Sequence, residues 1–304
     1  MLNHIEFIIP CGGKSTRNYP HSKSVAHKSL LPFGDGRLID HVLQDIIRMG
    51  GRHITIVCSN QATIELFKEA LGTDKSIEDK LRAQGRIAIA DALAATFLPE
   101  DVDLKFVVQS EPIGTAHVLG LAHRVSPNRH GVMIFPDDII VSKHTDDTHI
   151  KRLVDTFLSD EKQILLTGVE QENVSNNAIL HEGRLIEKPS VAYNHIAGYS
   201  PIIVPKAVLD FITKQVDVYE QTGKLPEGLK MNEWVYTDGI NQFLDADGET
   251  NGYYIKMFPK KEEDILLDTG TLPLYEKAQL RALLHLSRFQ EENRSMVKAL
   301  LAEV

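Results

Sequence analysis

Short apolar runs and amphipathic helical patterns alternate through the first half of the chain. The apolar runs that predict strands cover 5–9, 53–58, 104–108 and 131–135. The helices predicted from apolar residues at 3.6-residue spacing cover 38–47, 62–71, 76–97 and 115–123. This repeating order of strand and helix predicts an α/β fold, in which a parallel sheet is covered by helices.

The second half has a different rhythm, because its predicted strands are separated by short turns. The strands are expected over 163–169, 177–180, 184–187, 196–204 and 252–258, with a helix over 234–244. Short turns between strands favour a mixed sheet over further parallel crossover units. A polar stretch over 222–228 has the composition of a mobile loop.

A long amphipathic pattern over 274–301 predicts one helix or a helix pair at the end of the chain. Its apolar stripe could pack on the core or contact another subunit. No repeat or linker interrupts the sequence before it. We therefore predict one α/β domain over 1–272, followed by a helical appendage over 273–304.

Composition places the chain among ordinary globular proteins. It has 304 residues, of which 42% are hydrophobic and 25% charged. The net charge of −9 disfavours a nucleic-acid partner, and no run of eighteen apolar residues suggests a membrane span. The two cysteines, Cys11 and Cys58, and the absence of a signal-peptide pattern fit a cytoplasmic protein without a structural disulfide.

A glycine loop with nearby cations follows the first strand. Gly12 and Gly13 would let backbone N–H groups approach an anion, and Lys14, Arg17 and Lys28 would neutralise it. This pattern predicts a phosphate-binding loop, although a simple strand–turn with surface cations has the same features.

Two better-known phosphate loops are excluded. The G-x-G-x-x-G fingerprint of Rossmann dehydrogenases is absent, and Ile8 stands where a Walker A loop needs its first glycine. A nicotinamide-dependent dehydrogenase is therefore disfavoured.

Further candidate residues stand at the ends of predicted strands. Asp137 follows the apolar strand 131–135, where a carboxylate beside a phosphate loop would suit Mg²⁺, and Asp268 follows another apolar run. Lys188 stands before Pro189 at a strand end and could hold a phosphate. Gln109 has an amide that could pair with a pyrimidine edge. Each residue taken alone could instead be an ordinary turn or surface side chain.

Taken in order, these blocks resemble the sugar-1-phosphate nucleotidylyltransferases, and within them the bacterial UTP–glucose-1-phosphate uridylyltransferases. The similarity runs from about Ile5 to Ala278 and includes Glu187-Lys188-Pro189 and Asp268-Thr269-Gly270. Ser15 replaces a glycine that is usual in the family, and His27 replaces a proline. Asn177-Ala178 replaces a Tyr-Gly pair, and the spacing from Arg17 to Lys28 is one residue longer than usual.

The resemblance implies a Rossmann-like, mostly parallel mixed sheet of the nucleotide-diphospho-sugar transferase type. It implies Mg²⁺-dependent transfer from UTP to a sugar 1-phosphate, most simply glucose 1-phosphate, with release of pyrophosphate. Asp137 and Asp268 would hold the metal, and Arg17, Lys28 and Lys14 would be the catalytic cations. The nucleotide would meet Gly12, Gly13, Gln109 and Gly114, and the sugar phosphate would meet Glu187, Lys188 and Gly198.

The sequence leaves two alternatives open. The chain could use dTTP, as thymidylyltransferases do, or it could be a regulatory homologue that binds nucleotide with weakened catalysis. The departures at Ser15, His27 and Ala178 motivate the second alternative. A homo-oligomer is possible, and no nucleic-acid or membrane partner is expected.

Overall fold

Thirteen strands and eleven helices make up the computed structural model, which describes residues 2–24, 27–229 and 233–302. The strands are β1 Ile5–Cys11, β2 Pro32–Phe33, β3 Gly36–Arg37, β4 His53–Cys58, β5 Asp103–Val108, β6 His130–Met133, β7 Asp138–Val141, β8 Gln163–Glu170, β9 Ala178–His181, β10 Arg184–Glu187, β11 Ile196–Val204, β12 Tyr254–Pro259 and β13 Ile265–Asp268. The helices are α1 His21–Ser24, α2 Leu38–Arg48, α3 Gln61–Ala70, α4 Lys75–Ala83, α5 Ile87–Ala94, α6 Thr115–Val125, α7 His149–Ser159, α8 Lys206–Thr222, α9 Tyr236–Phe243, α10 Leu272–His285 and α11 Gln290–Ala302. Short 3₁₀ turns cover Thr16–Asn18 and Lys28–Leu30. Position 1 and the last two positions of the 273–304 stretch lie outside the described residues.

Nine strands form the central sheet. Strands β5, β4, β1 and β6 are parallel neighbours in that order, and β11 continues the sheet antiparallel to β6. Beyond β11, the sheet divides into β8 with β12 and β9 with β10. The predicted class, a mostly parallel mixed sheet flanked by helices with further helices at the end, is confirmed.

Alternating residues of β1 show how the core is divided between the two faces of the sheet. Phe7 and Ile9 pack on one face with apolar residues of α2, α3 and α7. Ile8 packs on the other face with residues of α6, α8 and α9. Successive side chains of a strand point to opposite faces, so one short apolar run serves both cores.

Helices α7 and α8 are absent from the prediction, although the sequence carries their signal. Ile150, Leu153, Val154 and Phe157 are buried at helical spacing in α7. Residues of α8 follow the same 3.6-residue pattern. The helical region predicted over 76–97 forms two helices, α4 and α5, because Gly85 has a φ of +73° and ends α4.

The stretch 274–301 is the helix pair that the sequence allowed. Asp35 fixes the break between the two helices by accepting hydrogen bonds from Ser287 Oγ (2.8 Å) and the Arg288 N–H (2.6 Å). Helix α10 buries Tyr275, Ala278 and Ala282 in a cluster with Leu267 of β13, whereas α11 has no buried residue. Within the described ranges, no helix has the length and apolar character that crossing a membrane requires.

Candidate active site

A large cleft of about 1160 Å³ lies beyond the carboxyl ends of several strands, where ligands bind in open α/β sheets. Every site residue proposed from the sequence lines this cleft: Gly12, Gly13, Lys14, Arg17, Lys28, Gln109, Gly114, Asp137, Glu187, Lys188, Gly198 and Asp268. They come from segments that follow β1, β5, β6 and β10, and from β10, β11 and β13 themselves. The fold thus gathers residues that are distant in sequence around one opening.

Asp137 and Asp268 are brought together by a two-stranded ribbon. Strands β7 and β13 pair antiparallel with Asp138 opposite Asp268, and the Thr269 N–H donates to the Asp137 carbonyl (2.8 Å). A Cβ atom on Gly270 would lie 3.1 Å from Asp268 Oδ1 and 3.8 Å from Asp137 Oδ2. Carboxylate oxygens of both aspartates therefore surround the same small space.

The electrostatics of this group are dominated by burial and mutual repulsion. Burial and the charges of Asp137 and Asp268 raise the pKa of Asp138 to about 8, and burial raises the pKa of Asp268. Burial also opposes ionisation of Asp137, but its ion pair with Lys28 outweighs that effect and lowers the pKa of this carboxyl. Arg17 favours the ionised forms of Asp137 and Asp268 from a greater distance.

The paired carboxylates fit a hard divalent cation such as Mg²⁺. Their oxygens are the donors that Mg²⁺ prefers, and added positive charge would relieve their repulsion. Among the described residues, no cluster of three or more His, Cys, Asp or Glu side chains is placed to hold a metal. A metal here would therefore need phosphate or water oxygens to complete its coordination.

Gln109 and Gly114 line the cleft beside the glycine loop. The buried Gln109 side chain donates from Nε2 to the Gly114 carbonyl (2.9 Å), and its Oε1 lies 2.9 Å from where a Cβ of Gly12 would be. Gly114 has a φ of +124°, and a Cβ there would lie 2.2 Å from the Trp234 carbonyl oxygen. Gly114 is therefore required by backbone conformation and by close packing.

Trp234 holds this part of the cleft in place. Its backbone N–H donates to the Ile113 carbonyl (2.6 Å), and its carbonyl accepts from the Ala116 N–H (3.0 Å). These bonds tie Trp234 to Ile113 and to the first turn of α6, and helix α9 begins at Tyr236, two residues later than predicted.

The predicted sugar side carries an unpartnered carboxylate oxygen and a strained lysine. Glu187 Oε2 is buried without a hydrogen-bond partner among the described residues, and burial raises the pKa of this carboxyl. Lys188 has a φ of +44°, a conformation that costs energy for a side chain other than glycine, and its N–H donates to the Asn177 carbonyl (3.1 Å). A buried acceptor beside an exposed cation suits a hydroxylated anion.

Gly198 already has a packing reason to be glycine. It lies in β11 between Gly168 of β8 and Ala178 of β9. A Cβ on Gly198 would lie 3.1 Å from the Ala178 carbonyl oxygen and 3.3 Å from Leu166 Cδ2. Close approach of a ligand, which the sequence suggested, is a separate role that stays a prediction.

Comparison with known proteins identifies the family. The family model described as Nucleotidyl transferase matches residues 7–283. The chain belongs to the nucleotidyl transferase family. The family assignment made from the sequence is thereby confirmed.

Relatives of the chain include a UTP–glucose-1-phosphate uridylyltransferase from Salmonella typhimurium, 25% identical over 142 residues. That match covers 46% of this chain and 46% of the relative, so the alignment spans about half the length of each protein. A UDP-glucose pyrophosphorylase from Acinetobacter baumannii has a TM-score of 0.76 at 19% identity, covering 97% of this chain and 99% of that one. A UTP-bound UGPase from Acinetobacter baumannii has a TM-score of 0.73 at 19% identity, covering 96% and 98% of the two chains. At this level of identity, the structural matches establish the shared fold.

Ser15 and His27, which depart from the usual nucleotidyl transferase loop, both support the backbone around Lys28. Ser15 has a φ of +56°, which explains why glycine is usual there, and its Oγ accepts from the Lys28 N–H (3.2 Å). His27 Nδ1 accepts from the Ser29 N–H (3.2 Å) and caps the short 3₁₀ turn. These contacts were not foreseen, because no sequence pattern reports a hydrogen bond between residues 15 and 28.

Replacement of Ser15 should separate its hydrogen bond from its backbone strain. Ser15→Ala loses the bond to the Lys28 N–H and keeps the unfavourable conformation, so the free energy of unfolding should fall by about 1 kcal/mol. Ser15→Gly loses the bond but relieves the strain, so it should stay within about 0.5 kcal/mol of the wild type. Urea unfolding of the wild type and the two variants measures both changes. Equal losses of unfolding free energy in the two variants would show that glycine does not relieve strain at this position.

Burial of His27 predicts a pH-dependent stability. Burial lowers the pKa of His27 to about 4 from 6.5, so the folded protein resists protonation and loses stability as pH falls from about 6.5 to 4. His27→Asn keeps a cap acceptor and cannot titrate. Between pH 7 and pH 5, the wild type should lose about 2 kcal/mol more unfolding free energy than the variant. Parallel urea titrations at the two pH values that give identical losses would contradict this account.

Proposed function

We propose that the protein transfers a uridylyl group from UTP to a sugar 1-phosphate, with glucose 1-phosphate as the first candidate, and releases pyrophosphate. The observation that carries the proposal is one cleft that Lys14, Arg17 and Lys188 line together with the partly buried carboxylates of Asp137 and Asp268. Such a site suits two substrates that are both polyanions, because their mutual repulsion is the main obstacle to bringing them together. Similarity to curated uridylyltransferases favours UTP and glucose 1-phosphate.

In the proposed reaction, a phosphate oxygen of the sugar 1-phosphate attacks the α-phosphorus of UTP. A new P–O bond forms on the side opposite the β-phosphate, and the bond to the α–β bridging oxygen breaks, so that pyrophosphate leaves with the electron pair. The attacking oxygen is already anionic at neutral pH, so the reaction requires no general base. Catalysis would then rest on alignment and on neutralisation of charge.

The cations divide between the two substrates according to their positions. Lys14 and Arg17, which are exposed in the glycine loop, would hold the leaving pyrophosphate. Lys28 pairs with Asp137 and is only partly exposed, so it would turn towards the α-phosphate when the nucleotide arrives. Bound Mg²⁺, held by Asp137 and Asp268, would supply positive charge that stabilises the developing charge on the phosphates.

The sugar phosphate would bind in the part of the cleft that Glu187 and Lys188 line. Lys188 would bind its phosphate, and Glu187 Oε2, which lacks a hydrogen-bond partner among the described residues, would accept a hydrogen bond from a sugar hydroxyl. Such a buried acceptor would favour a polyhydroxylated ligand over a bare phosphate.

A pyrophosphate-release assay across nucleotides and sugar 1-phosphates tests the proposed activity. We expect turnover with UTP and glucose 1-phosphate to exceed turnover with dTTP or with other sugar 1-phosphates. Asp137→Asn and Asp268→Asn should each lower turnover about a hundredfold or more, because each removes a metal ligand. Nucleotide binding without pyrophosphate release under every combination would reject the activity and favour a regulatory homologue.

Lys188→Ala tests the division of the cleft between the two substrates. The change should raise KM for the sugar 1-phosphate about tenfold or more, while KM for UTP changes about twofold or less. Lys224→Ala is the matched control, because Lys224 is an exposed lysine outside the cleft. Equal increases in both KM values, or none in the sugar-phosphate KM, would remove the proposed role of Lys188.

A further inference from the structure

Helix α10 forms one wall of the cleft. Leu274, Lys277, Ala278 and Arg281 all line it. Their spacing of three, four and seven residues places them on one face of the helix, and Lys277 and Arg281 lie about 6 Å apart along its axis. The cleft-facing side of α10 therefore carries two cations one helical turn apart.

The body of the protein holds this wall in place. The Tyr275 hydroxyl donates to the Pro32 carbonyl (2.6 Å), and the Tyr275 ring lies edge-on to His21 with ring centres 6.0 Å apart. Ala278 and Ala282 are buried against the cluster that contains Leu267. Lys277 and Arg281 are thus presented from a packed helix and not from a loop.

The start of α10 lies close to the paired aspartates and to the segment that carries the glycine-loop cations. The helix begins four residues after Asp268, and Gly270 in that connection lies beside both Asp268 and Asp137. The side chain of Asn18, next to Arg17, donates to the Thr269 carbonyl (3.0 Å). Helix α10 is therefore tied to the segment that carries the glycine-loop cations.

The two cations are available for a ligand. Both are exposed, and neither forms an ion pair or a side-chain hydrogen bond in the part of the chain that the structure describes. Many other arginines and lysines of this protein, which has a net charge of −9, do pair with carboxylates, as Arg37 does with Asp40. Unpaired cations facing a cleft raise the local concentration of anions.

We propose that Lys277 and Arg281 extend the phosphate-binding site and contact the polyphosphate end of the nucleotide and the pyrophosphate product. The inference rests on the proposed function for the identity of the ligand. It adds two cations of α10 to the cations of the glycine loop.

Direct binding of inorganic pyrophosphate, measured by calorimetry with Mg²⁺ present, tests this without requiring turnover. The test variant is Lys277→Gln with Arg281→Gln. The control is Lys214→Gln with Lys298→Gln, which removes the same charge from exposed positions on α8 and α11 outside the cleft. All four side chains are exposed, so thermal unfolding should be nearly unchanged in both variants.

We expect the test variant to bind pyrophosphate about tenfold more weakly than the wild type, with the control within about twofold. Affinity for glucose 1-phosphate should change little in either protein. The inference would be overturned if the test variant kept its pyrophosphate affinity or if the control lost as much affinity as the test variant. It would also be overturned if the wild type did not bind pyrophosphate. If only the test variant loses pyrophosphate affinity and the wild type shows no turnover, the anion site is upheld and the proposed function fails.

Discussion

The ion pair between Lys28 and Asp137 is the interaction on which the rest of the site depends. It joins the segment after β1 to the segment after β6, and it lowers the pKa of Asp137 although burial opposes ionisation. Without it, Asp137 would add an uncompensated charge to a group in which burial and mutual repulsion already raise the pKa of Asp138. When a metal and phosphates bind, they would take over part of the charge compensation that Lys28 and Asp137 give each other in the free protein.

The central sheet explains why residues so distant in sequence meet. Parallel strands place their carboxyl ends at one edge, which brings the glycine loop, Gln109 and Asp137 together. The small β7–β13 ribbon then adds Asp268 from near the end of the chain, and α10 follows it directly along the wall of the cleft. Helix α10 is therefore part of the cleft wall as well as of the core.

Much of this arrangement could be predicted from the sequence, because strand and helix periods and strand-end residues are local signals. The alternation of strands and helices along the chain, the glycine loop and the two aspartates follow from such signals. The supports of Lys28 do not, since Ser15 and His27 act through backbone N–H groups whose positions depend on the folded loop. The same holds for Gly114, whose strictest constraint is the Trp234 carbonyl, contributed by a segment far away in sequence.

The central claim is that a metal held by the paired aspartates and the surrounding cations act together to accept a polyphosphate. The most direct measurement is the affinity of the wild-type protein for UTP in the presence of Mg²⁺ and in the presence of a chelator. The account predicts that UTP binds at least about tenfold more tightly with Mg²⁺, and that UTP raises Mg²⁺ affinity by the same factor. Equal UTP affinities under the two conditions would contradict it.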